Sequence, residues 1–181
     1  MSIKSYSLIK LVLGILIIVV LFFMSHTLAN ASQISIGSFS TKFNIENKPR
    51  VQNLLLASRA ISGIVIYPGE VFSYNETLGP TTEERGFRQA EIIVKGEKKQ
   101  GFGGGVCQIS STLYNAALNA GLEIIERHPH SKEVLYVPLN QDAATSYGGI
   151  DLKFKNTKLY PIVITSSITE NNVIVNIYRY L

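Results

Sequence analysis

The chemistry in this chain gathers around its only cysteine, Cys107, which stands behind Gly103-Gly104-Gly105-Val106 at the head of a run that reads as a helix. A thiol there is biased toward thiolate, because the first turn of a helix has N–H groups without intrahelical acceptors and carries the positive end of the helix dipole. Glycines ahead of it would let backbone approach a substrate without side-chain interference. Ile109, Leu113, Ala116, Ala117 and Ala120 then recur at helical spacing as one apolar stripe, with Gly121 as the stop. A lone cysteine is also commonly a small buried hydrophobe, so its meaning depends on compartment and neighbours.

A nucleophilic thiol needs a base, and the chain has 3 histidines, His26, His128 and His130. His26 falls in an N-terminal apolar leader. That leaves His128-Pro129-His130-Ser131, between two expected strands, where a loop can reach a neighbouring helix start. Pro129 stiffens the pair. Either histidine can serve as base; the plainer alternative is a pair of exposed loop histidines without a task. A third group usually orients the base, and Asp142 in Leu139-Asn140-Gln141-Asp142-Ala143 or Asp151 in Gly149-Ile150-Asp151-Leu152 fits, unless each is a solvated turn residue. Ser110, Ser111 and Tyr114 lie close behind Cys107 on the helix, where they bind substrate or simply cap and pack.

Lys4 and Lys10 precede an apolar run over residues 11–24, and residues 25–31 end in Ala29-Asn30-Ala31. A positive segment, an apolar core and a small-residue cleavage site form the order of an export signal. The run is shorter than the ~20 residues of a comfortable membrane span, so cleavage after Ala31 and retention as an anchor both stand. Export sharpens the question of Cys107. Disulfides form outside the cytoplasm, and a single cysteine has no intramolecular partner there, which leaves a reactive thiol, an intermolecular bridge or an inert buried residue. Without Lys4 and Lys10 the formal net charge of +4 falls to +2. No basic run is dense enough to argue for nucleic acid. The ~150 residues after the leader suit one domain with one core.

Elements must position these groups. Residues 32–47 read as an extended lead-in. Pro49 and Gly63 bracket a helix over residues 50–62, with Val51, Leu54, Leu55, Ser58 and Ile61 on one face. A short strand is expected over residues 64–67, a turn at Pro68-Gly69, an irregular stretch through Gly79-Pro80-Thr81-Thr82 and Arg85-Gly86, a strand over 90–94, and a loop over 100–105 that feeds Cys107. Downstream the period changes to that of strands, over residues 122–127, 133–137, 150–155, 161–166 and 172–178, the last two joined by Glu170-Asn171 as a hairpin. Short strands with tight connections imply antiparallel pairing. The expected fold is α+β, a single domain over residues 32–181 of mainly antiparallel sheet packed against two helices, after the leader over residues 1–31.

The run Gly103-Gly104-Gly105-Val106-Cys107-Gln108-Ile109-Ser110-Ser111-Thr112-Leu113-Tyr114-Asn115-Ala116, with Arg127-His128-Pro129-His130-Ser131, resembles the VanW family. The likeness continues upstream through Pro68-Gly69-Glu70-Val71-Phe72-Ser73-Tyr74-Asn75 and Gly79-Pro80-Thr81. Downstream it takes in Tyr136-Val137-Pro138, Asp142-Ala143, Asp151-Leu152 and Tyr160-Pro161-Ile162. The resemblance implies work on bacterial cell wall outside the membrane, in some members as a cysteine-dependent peptidoglycan L,D-transpeptidase. Carried onto this sequence, it implies Cys107 as nucleophile and His130 as base, with His128 able to exchange roles, and Asp142 completes the candidate catalytic set. Gly103, Gly104, Gly105, Gln108 and Ser131 join Ser110, Ser111 and Tyr114 as candidates for substrate contact. The N–H groups of Cys107 and Gln108 are the candidate oxyanion donors.

Acyl transfer of this kind calls for no metal, cofactor or ATP, since the amide being exchanged stores the energy. The expected partners are peptidoglycan stem peptides, with no nucleic acid, and with membrane contact only through the N-terminal segment if it stays uncleaved. An NlpC-type cysteine endopeptidase would share the order of residues and differ in using water as acceptor. A non-catalytic wall-binding or glycopeptide-resistance accessory protein would use the glycines and cysteine to shape a peptide groove. A zinc site from Cys107, His128 and His130 lacks a fourth ligand. Gly101-Phe102-Gly103-Gly104-Gly105 is no phosphate loop, because no Gly-Lys-Ser/Thr ending follows.

Overall fold

The structure, a computed structural model, describes residues 34–181. The leader over residues 1–31 and its cleavage site lie outside the described residues. Strands β1 (Ser35–Lys42) and β2 (Val65–Ile66) flank the hairpin of β8 (Ile162–Ile168) and β9 (Asn172–Arg179), giving an antiparallel sheet of order β1-β9-β8-β2. Ile162 and Ile164 on β8 and Val173, Val175 and Ile177 on β9 alternate onto one face and are buried there. Helix α1 (Lys48–Ile61) packs against β8, and helix α3 (Val106–Asn119) packs against β1 and β9. Each fully buried Ile or Leu contributes about 1.5–3 kcal/mol, and this interface stands in for the disulfide that the chain cannot form. Strand β1 approaches α3 so closely that a Cβ on Gly37 would run into Ala116 and Ala120.

Local sequence explains both long helices. Asn47 caps α1 by accepting the Arg50 N–H at 3.2 Å, and Pro49 sits in its first turn. The buried face of α1 is Leu54, Ala57 and Ile61 with Asn53 and Ser58, so Val51 and Leu55 from the expected stripe lie only at its margin. In α3 the expected stripe is the core: Ile109, Leu113, Ala116 and Ala117 have no exposure.

A second antiparallel sheet has the order β3-β7-β6, from β3 (Val71–Ser73), β6 (Glu123–Glu126) and β7 (Lys153–Lys155). Phe72 and Phe154 stack across it with centroids 4.9 Å apart. The third sheet is the hairpin of β4 (Gln89–Val94) and β5 (Glu97–Phe102), which ends immediately before the glycines that precede α3. The fold is thus α+β with antiparallel pairing. Its strands are divided among separate sheets, and a third helix, the short α2 (Tyr74–Leu78), follows β3 directly, capped by Ser73 accepting the Glu76 N–H at 3.1 Å.

Several expectations need correction. Residues 133–137 form no strand, because no described strand pairs with them; Tyr136 and Val137 turn inward while Leu135 is 95% exposed. The loop expected over residues 100–105 shrinks to Gly103–Gly105, since Gln100 and Gly101 pair with Glu91 and Ala90 in the β4–β5 hairpin. The strand expected over 150–155 is only β7, because Asp151 is occupied with the start of α2. The lead-in over residues 32–47 contains the full strand β1.

Candidate active site

Cys107 is the second residue of α3, and the turn before it owes its glycines to packing within the protein. Gly103 has φ +82°, and a Cβ on it would lie 2.7 Å from Thr81. One on Gly104 would lie 2.7 Å from the Ala90 backbone, and one on Gly105, φ +116°, would lie 3.1 Å from Arg50 Cγ. All three glycines are buried, so they seat the turn against β4 and α1 instead of opening it to a substrate. The turn also consumes donors: the Val106 N–H bonds Gly103 O at 3.0 Å and the Gln108 N–H bonds Gly105 O at 2.9 Å. Of the two candidate oxyanion donors, the Gln108 N–H is therefore engaged. The Cys107 N–H has no acceptor among the described residues.

Cys107 is half-buried, and its thiol donates to Thr145 O at 3.4 Å, with Thr145 Oγ1 at 3.8 Å. Burial alone would push its pKa up. The neighbouring His130 imidazole, with the Thr145 backbone and hydroxyl, outweighs that and holds it below the ordinary thiol value. Burial likewise disfavours the His130 imidazolium, but the Cys107 thiolate and the Asp142 carboxylate raise its pKa overall. The two shifts together favour a thiolate–imidazolium pair.

Asp142 fixes the ring. Its Oδ2 lies 2.6 Å from His130 Nδ1 and accepts the His130 backbone N–H at 2.6 Å, while its Oδ1 accepts from Arg127 Nη2 at 2.8 Å. Burial pushes the Asp142 carboxyl up, yet the His130 donors and the Arg127 charge keep it below the usual carboxylate range. With Nδ1 held by Asp142, Nε2 is the ring atom available to the thiol. The Tyr136 hydroxyl lies 3.5 Å from that Nε2, its ring edge-on to the imidazole with centroids 6.4 Å apart. Burial and the neighbouring Cys107 charge push the Tyr136 pKa up, so it remains a neutral phenol. Tyr74, wholly buried, braces the first turn of α3 by donating its hydroxyl to Val106 O at 2.9 Å.

The other candidates separate into different roles. His128 directs Nε2 to Glu126 Oε1 at 3.0 Å and joins Ala144 through a backbone bridge, which distinguishes it from His130. Asp151 accepts from Ser73 Oγ at 2.6 Å and from the Asn75 N–H at 2.9 Å, so it anchors α2 and the second sheet. Among the described residues, no group of three His, Cys, Asp or Glu side chains converges to hold a metal ion. Ser110 and Ser111 have no exposure; their hydroxyls donate to Ala143 O at 2.6 Å and to Cys107 O at 2.7 Å respectively, and Ser111 Oγ accepts the Ala143 N–H at 2.9 Å. These bonds stitch α3 to the segment that carries Asp142 and Thr145, which fits the packing alternative for both serines. Gln108 is buried too, donating to Thr41 Oγ1 at 3.0 Å and Lys42 O at 2.8 Å and accepting from Arg50 Nη2 at 2.9 Å. The ring of Tyr114 lies under the Arg127 guanidinium at 5.6 Å, and Ser131 Oγ accepts the Gly96 N–H at 2.8 Å, tying the His130 loop to the tip of the β4–β5 hairpin.

Four residues at the site escaped the sequence reading as site residues. Arg127 directly precedes the His-Pro-His segment, and a cation beside a proposed acid–base pair is a usable signal. Tyr136 lay within the quoted family stretch. Thr145 and Arg50 carry no local signal, since only the tertiary fold brings them to α3.

The family described as VanW like protein matches residues 49–178, which include Cys107, His130 and Asp142. The chain is 43% identical over 154 residues to the uncharacterized protein YoaR of Bacillus subtilis, a match that covers 85% of this chain and 51% of the relative. It is 34% identical over 116 residues to the vancomycin B-type resistance protein VanW of Enterococcus faecalis, covering 61% of this chain and 42% of that protein. The chain thus spans about half the length of the curated relatives it matches. No solved structure matches it. Among the described residues no helix is long and apolar enough to cross a membrane. The matched span and the identity to YoaR give one conclusion: the chain belongs to the VanW-like family.

Proposed function

We propose that the chain is a cysteine acyltransferase acting outside the cytoplasm on peptidoglycan stem peptides, as an L,D-transpeptidase. The observation that carries this reading is that one short segment serves both groups: Asp142 Oδ2 lies 2.6 Å from His130 Nδ1, and Thr145 O accepts from the Cys107 thiol at 3.4 Å. A nucleophile, a base and an orienter in this order serve acyl transfer on unrelated folds. The export pattern of residues 1–31 supports the compartment, and the resistance protein among the relatives supports the cell wall as the setting.

The Cys107 thiolate attacks the carbonyl carbon of the residue preceding the terminal D-alanine, forming the C–S bond of a tetrahedral adduct. The Cys107 N–H, which has no acceptor among the described residues, meets the oxyanion in this reading. Collapse of the adduct breaks the C–N bond, and the His130 imidazolium passes its proton to the departing D-alanine nitrogen. The side-chain amine of a second stem then attacks the thioester, losing a proton to His130. Collapse forms the new amide and returns the thiolate. Asp142 keeps Nε2 turned toward the sulfur through both steps and stabilises the imidazolium.

The test is muropeptide analysis after incubating the full-length protein and its Cys107→Ala variant with disaccharide tetrapeptides. Cysteine-dependent dimers are expected. Cysteine-dependent shortened stems without dimers would overturn transpeptidation in favour of hydrolysis, and no change with either protein would overturn an enzymatic role.

A further inference from the structure

Arg50 is the one guanidinium at this site without a carboxylate partner among the described residues. Arg127 is neutralised by Asp142 at 2.8 Å, whereas Arg50 makes a single side-chain bond, from Nη2 to the neutral Gln108 Oε1 at 2.9 Å. Its remaining side-chain N–H donors have no acceptor among the described residues. The residue is half-buried, and so is Tyr136, whose ring centre lies 6.0 Å from the guanidinium. A half-buried guanidinium without a counter-charge attracts an anion more strongly than a fully solvated one, because its surroundings screen the charge less.

The fold holds this side chain across the head of α3, the helix that carries Cys107. Asn47 fixes the Arg50 backbone at the start of α1. Gly105 makes room for the Arg50 stem across the head of α3, since a Cβ there would lie 3.1 Å from Arg50 Cγ. Gln108, the residue after Cys107, then holds the guanidinium, which lies 6.0 Å from the centre of the Tyr136 ring. The Tyr136 hydroxyl in turn borders His130 Nε2. Arg50 is therefore one side chain, Tyr136, removed from the His130 imidazole, with guanidinium donors left over beyond the single bond to Gln108.

We infer that Arg50 is the specificity residue that binds the free C-terminal carboxylate of the peptide whose last amide bond Cys107 attacks. A carboxylate matches a guanidinium in charge and in bidentate geometry, and the terminal carboxylate of the leaving residue is the anion that must lie within a residue's length of the scissile carbonyl. An endopeptidase substrate has no carboxylate at that place. The inference rests on the acyl-transfer reading and assigns the group that selects chain ends over internal bonds.

Calorimetric binding to full-length Cys107→Ala separates the two claims, using the disaccharide tetrapeptide and its C-terminal carboxamide. The free acid is expected to bind about 10- to 100-fold more tightly than the amide, the range of a charge-assisted bond. Adding Arg50→Gln should bring that ratio close to one, and Arg50→Lys, which keeps charge but loses the fork, should give an intermediate ratio. A purely structural Arg50 would weaken both ligands together and leave the ratio as in the parent. Equal binding of acid and amide, binding of neither, or a ratio unmoved by both Arg50 variants would overturn the assignment. Turnover by the wild-type protein is scored separately: discrimination without turnover would sink the acyl-transfer reading and keep Arg50 as a carboxylate site, while turnover without discrimination would do the reverse.

Discussion

Asp142 grips His130 twice with one oxygen, its Oδ2 lying 2.6 Å from ring Nδ1 and accepting the His130 backbone N–H at 2.6 Å. The double contact fixes both the position of the loop and the orientation of the ring. Its other oxygen is held by Arg127 at 2.8 Å, so the carboxylate is itself prevented from rotating.

Asp142→Asn should therefore lower turnover on the order of 10³- to 10⁴-fold, the scale seen when an orienting carboxylate is neutralised in other triads. It should also destabilise the fold by about 1–3 kcal/mol, because Arg127 loses its counter-charge in a partly buried position. Denaturant unfolding and single-turnover assays on the same preparation check both. Turnover within threefold of wild type would remove Asp142 from the relay.

The pH dependence of Cys107 alkylation tests the ion pair directly. A lowered thiol pKa means that the thiolate persists below the ordinary thiol range, so the iodoacetamide rate should begin to rise well below pH ~8.5. His130→Ala should move that rise upward, since the partner that favours the thiolate is gone. The stability link runs with a definite sign. The raised His130 pKa contributes stability that is full below its unfolded value and is lost as pH rises through the folded one. The lowered Asp142 pKa contributes stability present above its unfolded value and lost as pH falls through the folded one. An alkylation profile identical in wild type and His130→Ala would show that His130 does not act on the sulfur.

Much of this arrangement was legible in the sequence because its signals are local. The stripe of α3 was readable from apolar spacing, and the β8–β9 hairpin from alternation with Glu170-Asn171 between. Other elements lacked such signals. Strand β5 is Glu97–Phe102, nearly all polar and exposed, so no periodicity marks it; only pairing with β4 makes it a strand. Residues 133–137 alternate like a strand and remain irregular for want of a neighbour. The glycines of the turn read as an opening for substrate, whereas Thr81, Ala90 and Arg50, distant in sequence, are what press against them. Ser110 and Ser111 looked like site residues by proximity to Cys107, and burial assigned them to packing instead.

Ser111→Ala follows from that assignment. It leaves the Ala143 N–H, now bonded at 2.9 Å, without its acceptor in a buried position, which costs about 1–3 kcal/mol. The loss should appear in denaturant midpoints while the KM for tetrapeptide changes little. A raised KM with unchanged stability would instead make Ser111 a substrate contact.

Gly103→Ala tests whether the turn is built for packing. Two penalties coincide at this position: φ +82° disfavours any L side chain, and the added Cβ would lie 2.7 Å from Thr81. A loss of about 2–4 kcal/mol is expected, since strain and overpacking each cost about 1–3 kcal/mol. The second change Thr81→Gly would relieve the contact and leave the left-handed backbone strained, so the double variant should recover part of the loss and no more. Full recovery would mean that sterics alone require the glycine, and no recovery would mean that the backbone conformation alone does. Because the turn ends at the N-cap of α3, either penalty should also displace Cys107. The alkylation profile of Gly103→Ala should therefore shift upward toward that of His130→Ala, linking a packing defect at Thr81 to the reactivity of the thiol.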